Sequence, residues 1–174
     1  MADEINKYLP EAKFLFDGVT IPEKLKPLAR DLELGLYDPA VAELAAAAQK
    51  SSKDQPTAQA MYDKFKPLAE GGLERAKAFD QEGKKYAAYL EYAKVAAWFR
   101  KTDYEKTASA ALTALKKDKS VQEELAAKQM LYQARGLLAS SKKAEKESAP
   151  ALLAALQKKY PNTEAAKEAA KLAK

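Results

Sequence analysis

Three pairs of closely spaced carboxylates are the residues of this sequence whose types and spacing could support acid–base chemistry. They are Asp80 and Glu82, Asp103 and Glu105, and Glu123 and Glu124. Two carboxylates act as general acid and general base where a pocket drives their pKa values apart. These pairs fall at predicted helix ends, where acidic side chains complement the helix dipole. We therefore interpret them as structural rather than catalytic.

The composition excludes most of the remaining catalytic and metal chemistry. The 174 residues include no Cys and no His, which removes disulfides, thiol nucleophiles, imidazole metal ligands and Ser-His-Asp triads. Neither a phosphate-binding glycine motif nor a calcium-binding loop is present. We therefore expect no catalytic residues, no metal and no cofactor, and we predict that the protein is not an enzyme.

The basic residues are mostly lysines interleaved with glutamates. Lys and Arg number 30 against 25 Asp and Glu, for a formal net charge of +5. The arginines are Arg30, Arg75, Arg100 and Arg135. Sequence-reading nucleic-acid sites rely on the bidentate fork of Arg, so we expect a solvated surface and no sequence-specific nucleic-acid binding. The alternative is a weak attraction to an acidic partner, a polyanion or an anionic membrane.

The segment 23–174 is predicted to form about eight helices joined by short loops. Gly35 and Gly83 are each predicted to end a helix, Ser120 to cap another, and Pro67 to kink a long helix over 57–82. No part of this segment alternates as a strand does, which predicts an all-α domain. No run approaches the ~18 apolar residues that a membrane helix needs.

Residues 1–22 differ in character from the rest of the chain. Apolar residues surround an Asp17-Gly18 turn, and prolines flank the segment. This pattern predicts an extended N-terminal arm that docks on the helical body. The first ten residues lack the basic and apolar regions of a signal peptide, so we expect none.

One pattern of small, large and capping residues recurs along the helical part. Its central copy is Gly83, Ala88, Tyr92, Val95, Phe99 and Thr102. A shift of 61 positions gives Ala149, Leu153, Leu156, Tyr160 and Thr163, and a weaker copy 48 positions upstream has Gly35, Ala40, Leu44 and Ala47. Helical pairs that repeat in this way share a core by stacking, so we expect Phe99 and Tyr160 to lie in equivalent seams.

This repeated pattern resembles that of the tetratricopeptide-repeat (TPR) family. The segment Tyr160-Pro161-Asn162-Thr163 is similar to the sequence that ends the second helix of a repeat in that family. The likeness is to a degenerate array, because the periods differ from the ~34 residues of that family. It implies stacked antiparallel helical hairpins in a right-handed α-solenoid. The whole chain also resembles the C-terminal helical region of some exported bacterial thioredoxin-like proteins. That second resemblance implies a portion of a larger, periplasmic or otherwise extracytoplasmic protein.

Aromatic residues of the central helix are the candidates for partner binding. Trp98 lies on the same side as Lys94, and Tyr86 and Tyr89 belong to a tyrosine cluster with Tyr92 and Tyr104. They could line a concave peptide groove, since Trp and Tyr are enriched at binding hot spots. The alternative for Trp98 is packing on an adjacent helix, and for the tyrosines a core position with the hydroxyl at the rim.

The function that these observations favour is a non-catalytic helical-repeat module that binds a protein or peptide partner, or that acts as a scaffold within a larger protein. A purely structural spacer in an exported, redox-linked protein is the alternative. A small-ligand carrier or an enzyme is less favoured. An open groove with several aromatic side chains would support the first reading, a uniformly polar surface the second, and an enclosed cavity with convergent charges the third.

Overall fold

Helices account for the regular structure of residues 15–173, the part of the chain that the computed structural model describes, and no strand occurs among these residues. In this range a 3-10 turn, Glu23–Leu25, precedes nine α-helices: α1 (Lys26–Glu33), α2 (Tyr37–Gln49), α3 (Gln55–Asp63), α4 (Lys66–Gln81), α5 (Lys85–Trp98), α6 (Asp103–Leu115), α7 (Lys119–Ala139), α8 (Lys143–Lys159) and α9 (Glu164–Leu172). The predicted all-α, helical-repeat character of the fold is confirmed, since helices pack against their neighbours along the chain.

Glycine closes two of the predicted helix ends in the same way. Gly35 after α1 has φ +75° and Gly83 after α4 has φ +76°, a left-handed conformation that glycine adopts without a steric cost. In both turns the glycine N–H donates to the carbonyl three residues back, at 3.0 and 3.1 Å, and the following N–H donates to the carbonyl five residues back, at 2.8 Å. This is the Schellman arrangement. Gly35, in the weaker upstream copy of the repeat, therefore ends its helix in the same way as Gly83 in the central copy.

The proline expected to kink a long helix instead lies at the start of a new one. Helix α3 ends at Asp63, and Pro67 is the second residue of α4. Proline is well tolerated in a first turn because the N–H that it lacks has no partner there. This division of the predicted stretch 57–82 accounts for the helix beyond the eight expected.

Asp118, and not the predicted Ser120, caps helix α7. The Asp118 carboxylate accepts the N–H groups of Ser120 at 2.8 Å and Val121 at 3.4 Å, and it also accepts the Ser120 hydroxyl at 2.6 Å. These hydrogen bonds hold the pKa of Asp118 below its ordinary value, and the bond from the Ser120 side chain has the largest effect. A carboxylate serves this helix end better than a hydroxyl because it accepts several bonds and carries the charge that complements the helix dipole.

The described residues form two compact units. The first contains the residues up to Glu74 together with Tyr92–Ser109, and the second contains Arg75–Glu91 together with the residues from Ala110 onward. In the first unit α1 packs on α2 and α2 packs on α3. In the second unit α7, α8 and α9 each contact the other two.

An aromatic chain organises the core of the first unit. The fully buried Phe65 ring lies 6.1 Å from Phe16 and 5.9 Å from Tyr37, and Tyr37 meets Trp98 edge-on at 4.9 Å. The Phe16 N–H also donates to the Glu33 carboxylate at 3.0 Å. Phe16 belongs to the predicted arm, of which residues 1–14 lie outside the described part of the chain. The docking of the arm as a whole stays a prediction.

Small residues bring the helices of the second unit close together. Its core consists of Ala127, Leu131 and Ala134 of α7, Leu153 and Leu156 of α8, and Ala165, Ala166 and Ala169 of α9. Met130, Leu152 and Tyr160 pack at the margin of this cluster. Because five of these eight residues are alanines, two leucines of α8 can reach both neighbouring helices.

The 61-residue repeat is visible in burial and in local hydrogen bonding. Its members Ala88 and Ala149, Tyr92 and Leu153, Val95 and Leu156, and Ala108 and Ala169 are all buried. The hydroxyls of Thr102 and Thr163 donate to the carbonyls of Phe99 and Tyr160, at 2.5 and 2.8 Å, and the two threonine N–H groups donate to the same carbonyls at 3.2 Å. The two rings differ, because Phe99 is fully buried whereas Tyr160 is partly exposed.

Candidate functional site

The predicted binding residues fall in both units. Trp98 and Lys94 belong to the first unit, and Tyr86 and Tyr89 belong to the second. The partly buried Trp98 ring packs on Tyr37, the first residue of α2. This is the alternative that the sequence left open for Trp98, packing on an adjacent helix. Its role, and that of Lys94, in partner binding stays a prediction.

Tyr86 and Tyr89 stack on one another, and Tyr86 lines an open cleft of the second unit. Their ring centroids lie 6.2 Å apart with an interplanar angle of 12°. The cleft has a volume of about 470 Å³ and lies between the loop at Gly83 and the starts of α7 and α9. Burial is the main cause that raises the pKa of Tyr86, and the charge of Lys128 opposes it. The tyrosine cluster is therefore half-buried, with one ring facing a cleft.

The backbone N–H groups at the start of α9, which borders this cleft, already have a buried carboxylate as their acceptor. Glu124 of α7, only 5% exposed, accepts the N–H of Glu164 at 2.8 Å and that of Ala165 at 3.0 Å. The Thr163 hydroxyl accepts the next N–H, that of Ala166, at 3.1 Å. The first three amides of α9 therefore have partners within the chain. Glu124 and Thr163 therefore serve the fold at this cleft.

A second groove, in the first unit, brings together tyrosines and lysines. It is lined by Gln49, Tyr62, Lys66, Lys101, Thr102, Asp103, Tyr104 and Lys106, with a volume of about 550 Å³. These residues come from the end of α2, from α3, from the start of α4, from the turn between α5 and α6 and from the first turn of α6. We call this surface the Tyr-Lys groove. It is an open depression with two aromatic walls, of the size that ligand sites commonly have.

Hydrogen bonds and ring contacts fix the two tyrosines of the Tyr-Lys groove. The Tyr104 hydroxyl donates to the Glu70 carboxylate at 2.8 Å, and the Tyr104 ring meets Phe99 edge-on at 5.6 Å. Burial and the Glu70 carboxylate raise the pKa of Tyr104 to about 12. Burial also raises the pKa of Tyr62, and a hydrogen bond with the Thr102 side chain opposes that shift. Both rings therefore interact with other groups of the same unit.

The three lysines of the Tyr-Lys groove are engaged to different degrees. Lys66 pairs with Asp63 at 2.6 Å and Lys106 pairs with Asp103 at 2.8 Å, each three positions along the chain. These bonds raise the pKa of both lysines. The Lys101 ammonium has no ion pair among the described residues. It is exposed and is the one cation of the groove without a carboxylate partner in that part of the chain.

The backbone of Lys101 is also unusual. Its φ is +61°, and it is the one described residue other than glycine with a positive φ. A side chain in this conformation costs roughly 1–2 kcal/mol, which the structure offsets in part through the Lys101 N–H, since this group donates to Glu105 Oε2 at 2.5 Å. The turn between α5 and α6 therefore holds Lys101 in a specific, sterically unfavourable conformation at the groove.

The acidic pairs singled out from the sequence have structural partners. Asp80 pairs with Lys85 at 2.7 Å, Glu105 accepts the Lys101 N–H, and Glu124 caps α9. Among residues 15–173 no group of three or more acidic side chains could hold a metal ion. In the same range no helix is long and apolar enough to cross a membrane.

Sequence reasoning placed one residue of the Tyr-Lys groove among its binding candidates, and it singled out Thr102 and Asp103 for structural roles only. Tyr104 belonged to the predicted tyrosine cluster, but Tyr62 and the three lysines were not singled out. The Tyr104–Glu70 bond joins positions 34 apart, and no local periodicity reports such a contact. Comparison with protein-family models, with curated proteins and with solved structures finds no match for this chain.

The phenol of Tyr104 should titrate near pH 12, later than the ordinary value of 10.0. Burial and Glu70 both favour its protonated form, so its contribution to stability is present below about pH 10 and is lost as the pH rises towards 12. Tyrosinate formation can be followed by ultraviolet absorbance as the pH is raised. In Tyr104→Phe, the transition at the highest pH should be missing. Glu70→Gln should move that transition to lower pH, with circular dichroism confirming that the chain remains helical. An unchanged curve in Tyr104→Phe would contradict the assignment.

Proposed function

We propose that this chain is a non-catalytic helical-repeat module that binds a peptide segment of a partner protein in the Tyr-Lys groove. The observation that carries the proposal is the convergence of Tyr62 and Tyr104 with three lysines in one open depression. Rigid aromatic side chains supply contact area at a low entropic cost, and they are enriched at the centres of protein interfaces.

The arrangement of the acidic residues supports the non-catalytic part of the proposal. General acid–base catalysis needs carboxylates that face a pocket with their pKa values driven apart. Asp103 instead pairs with Lys106, and this interaction lowers the pKa of Asp103. The Glu124 carboxylate accepts hydrogen bonds from two backbone amides. These carboxylates maintain helix ends, as expected for a binding module or a scaffold.

Selection of random peptides displayed on phage against the full chain tests the proposal. We expect a family of related peptides to be enriched, and we expect Tyr62→Ala to weaken their binding about thirtyfold, which corresponds to the ~2 kcal/mol loss of an interface hot spot. Tyr132→Ala is the matched control, because Tyr132 is 80% exposed and lies in the other unit. Its affinity should stay close to that of the native chain.

Two outcomes would argue against a peptide-binding groove. If no peptide is enriched, the chain is better described as a structural spacer, the alternative that the sequence left open. If enriched peptides bind Tyr62→Ala as tightly as the native chain, the binding surface lies elsewhere. The resemblance to helical regions of exported thioredoxin-like proteins implies that the chain belongs to a larger protein, in which it could have either role. This context stays a prediction.

A further inference from the structure

We infer that the partner segment recognised by the Tyr-Lys groove is acidic, with a carboxylate that binds the Lys101 ammonium. This inference rests on the proposed function, and it adds the chemistry of the partner. It follows from which donors and acceptors of the groove are already engaged within the chain.

Two carboxylates beside the groove are engaged within the chain. Glu70 accepts the Tyr104 hydroxyl and Glu105 accepts the Lys101 N–H. The groove itself is lined by three lysines and by one carboxylate, that of Asp103. A basic partner would therefore meet more like charge than opposite charge there, and an acidic partner would meet the reverse.

The donors at the groove have spare capacity. An ammonium carries three N–H groups, and that of Lys101 has no ion pair among the described residues. Lys66 and Lys106 are bound to aspartates whose side chains are 48% and 94% exposed. Exposed pairs of this kind are weak, so both ammonium groups can turn towards an incoming carboxylate.

The positions of the lysines suit one extended segment. Lys66 begins α4, Lys101 lies in the turn before α6, and Lys106 lies one turn into α6. All three line the same depression as the rings of Tyr62 and Tyr104. A short peptide could therefore place a carboxylate at Lys101 and lay an apolar side chain against a tyrosine. Charge-assisted hydrogen bonds of this kind are the stronger ones.

Fluorescein-labelled hexaglutamate and hexaglutamine are suitable probes, with binding to the full chain followed by fluorescence anisotropy. Hexaglutamate should bind, and added salt should weaken it, whereas hexaglutamine should bind much less. Lys101→Met, which keeps most of the apolar stem, should weaken hexaglutamate binding about tenfold, as expected for the loss of a bond between charged groups. Lys53→Met, at an exposed lysine of a loop in the same unit, is the control.

Amide resonances in a titration monitored by NMR locate the probe. Hexaglutamate should shift those of Lys101, Thr102 and Asp103 more than those of lysine-rich segments elsewhere. Equal weakening by Lys101→Met and Lys53→Met, or equal binding of the two probes, would overturn the inference. Enriched neutral phage peptides that still require Tyr62 would refute the acidic partner and leave the proposed function standing. The absence of any enriched peptide would remove both.

Discussion

Phe99→Ala is expected to lower the free energy of unfolding by about 3–5 kcal/mol, the cost of truncating a fully buried phenylalanine. Phe99 is 1% exposed and its ring meets Tyr104 edge-on at 5.6 Å. Truncation would leave a cavity at the end of α5, behind one wall of the Tyr-Lys groove. Urea denaturation followed by circular dichroism measures the loss.

Two further variants show whether the loss at position 99 comes from a cavity. Phe99→Leu keeps most of the volume and should cost less than about 1.5 kcal/mol. Tyr160→Ala, at the matching position of the repeat, should cost less than Phe99→Ala because Tyr160 is partly exposed. Equal losses in the two alanine variants would mean that both rings are buried to the same extent, contrary to the structure.

Glu124→Ala is expected to destabilise the second unit by about 2–3 kcal/mol. Its carboxylate is the partner of two amides at the start of α9, those of Glu164 and Ala165. Removing a charged acceptor leaves the part-buried Glu164 amide and the buried Ala165 amide without this partner, and the loss of such a partner from a buried donor costs roughly 1–3 kcal/mol. Hydrogen exchange measured by NMR should become faster at these two amides and along α9.

Two conservative comparisons separate the capping role of Glu124 from general effects of charge. Glu124→Gln retains one acceptor oxygen and should lose less stability than the alanine variant. Glu123→Ala removes the neighbouring carboxylate, which makes only a loose pair with Lys119 at 3.7 Å, and should change stability by less than about 0.5 kcal/mol. Unchanged exchange at Glu164 and Ala165 in Glu124→Ala would show that another group holds α9.

Predictions from local sequence succeeded where neighbouring residues decide the structure. Gly35 and Gly83 end helices because a left-handed residue there costs glycine little. Thr102 and Thr163 cap the following helices because a hydroxyl reaches the N–H three positions on, at 3.4 and 3.1 Å. The prediction of Ser120 as a cap was wrong by two positions, since the Asp118 carboxylate is the stronger acceptor.

The candidate site could be predicted only in part. The sequence suggested aromatic residues and lysines as candidate binding chemistry, and its tyrosine cluster contains Tyr104, which lines the Tyr-Lys groove. It favoured Trp98, Tyr86, Tyr89 and Lys94, and none of these lines the Tyr-Lys groove. The helical period places side chains on a face of one helix, but a groove depends on which helices meet and at which level.

Local sequence accounts for the all-α class, most helix ends and the buried positions of the repeat, because hydrogen bonding within a few residues and the spacing of apolar side chains are local properties. Only long-range packing brings Tyr104 to Glu70, places Glu124 at the start of α9 from 40 positions away, and puts Lys101 and Tyr62 in the lining of one groove. These pairings depend on the order and depth in which helices pack. Many arrangements of the same amphipathic helices bury similar apolar area, so the pattern alone does not select one.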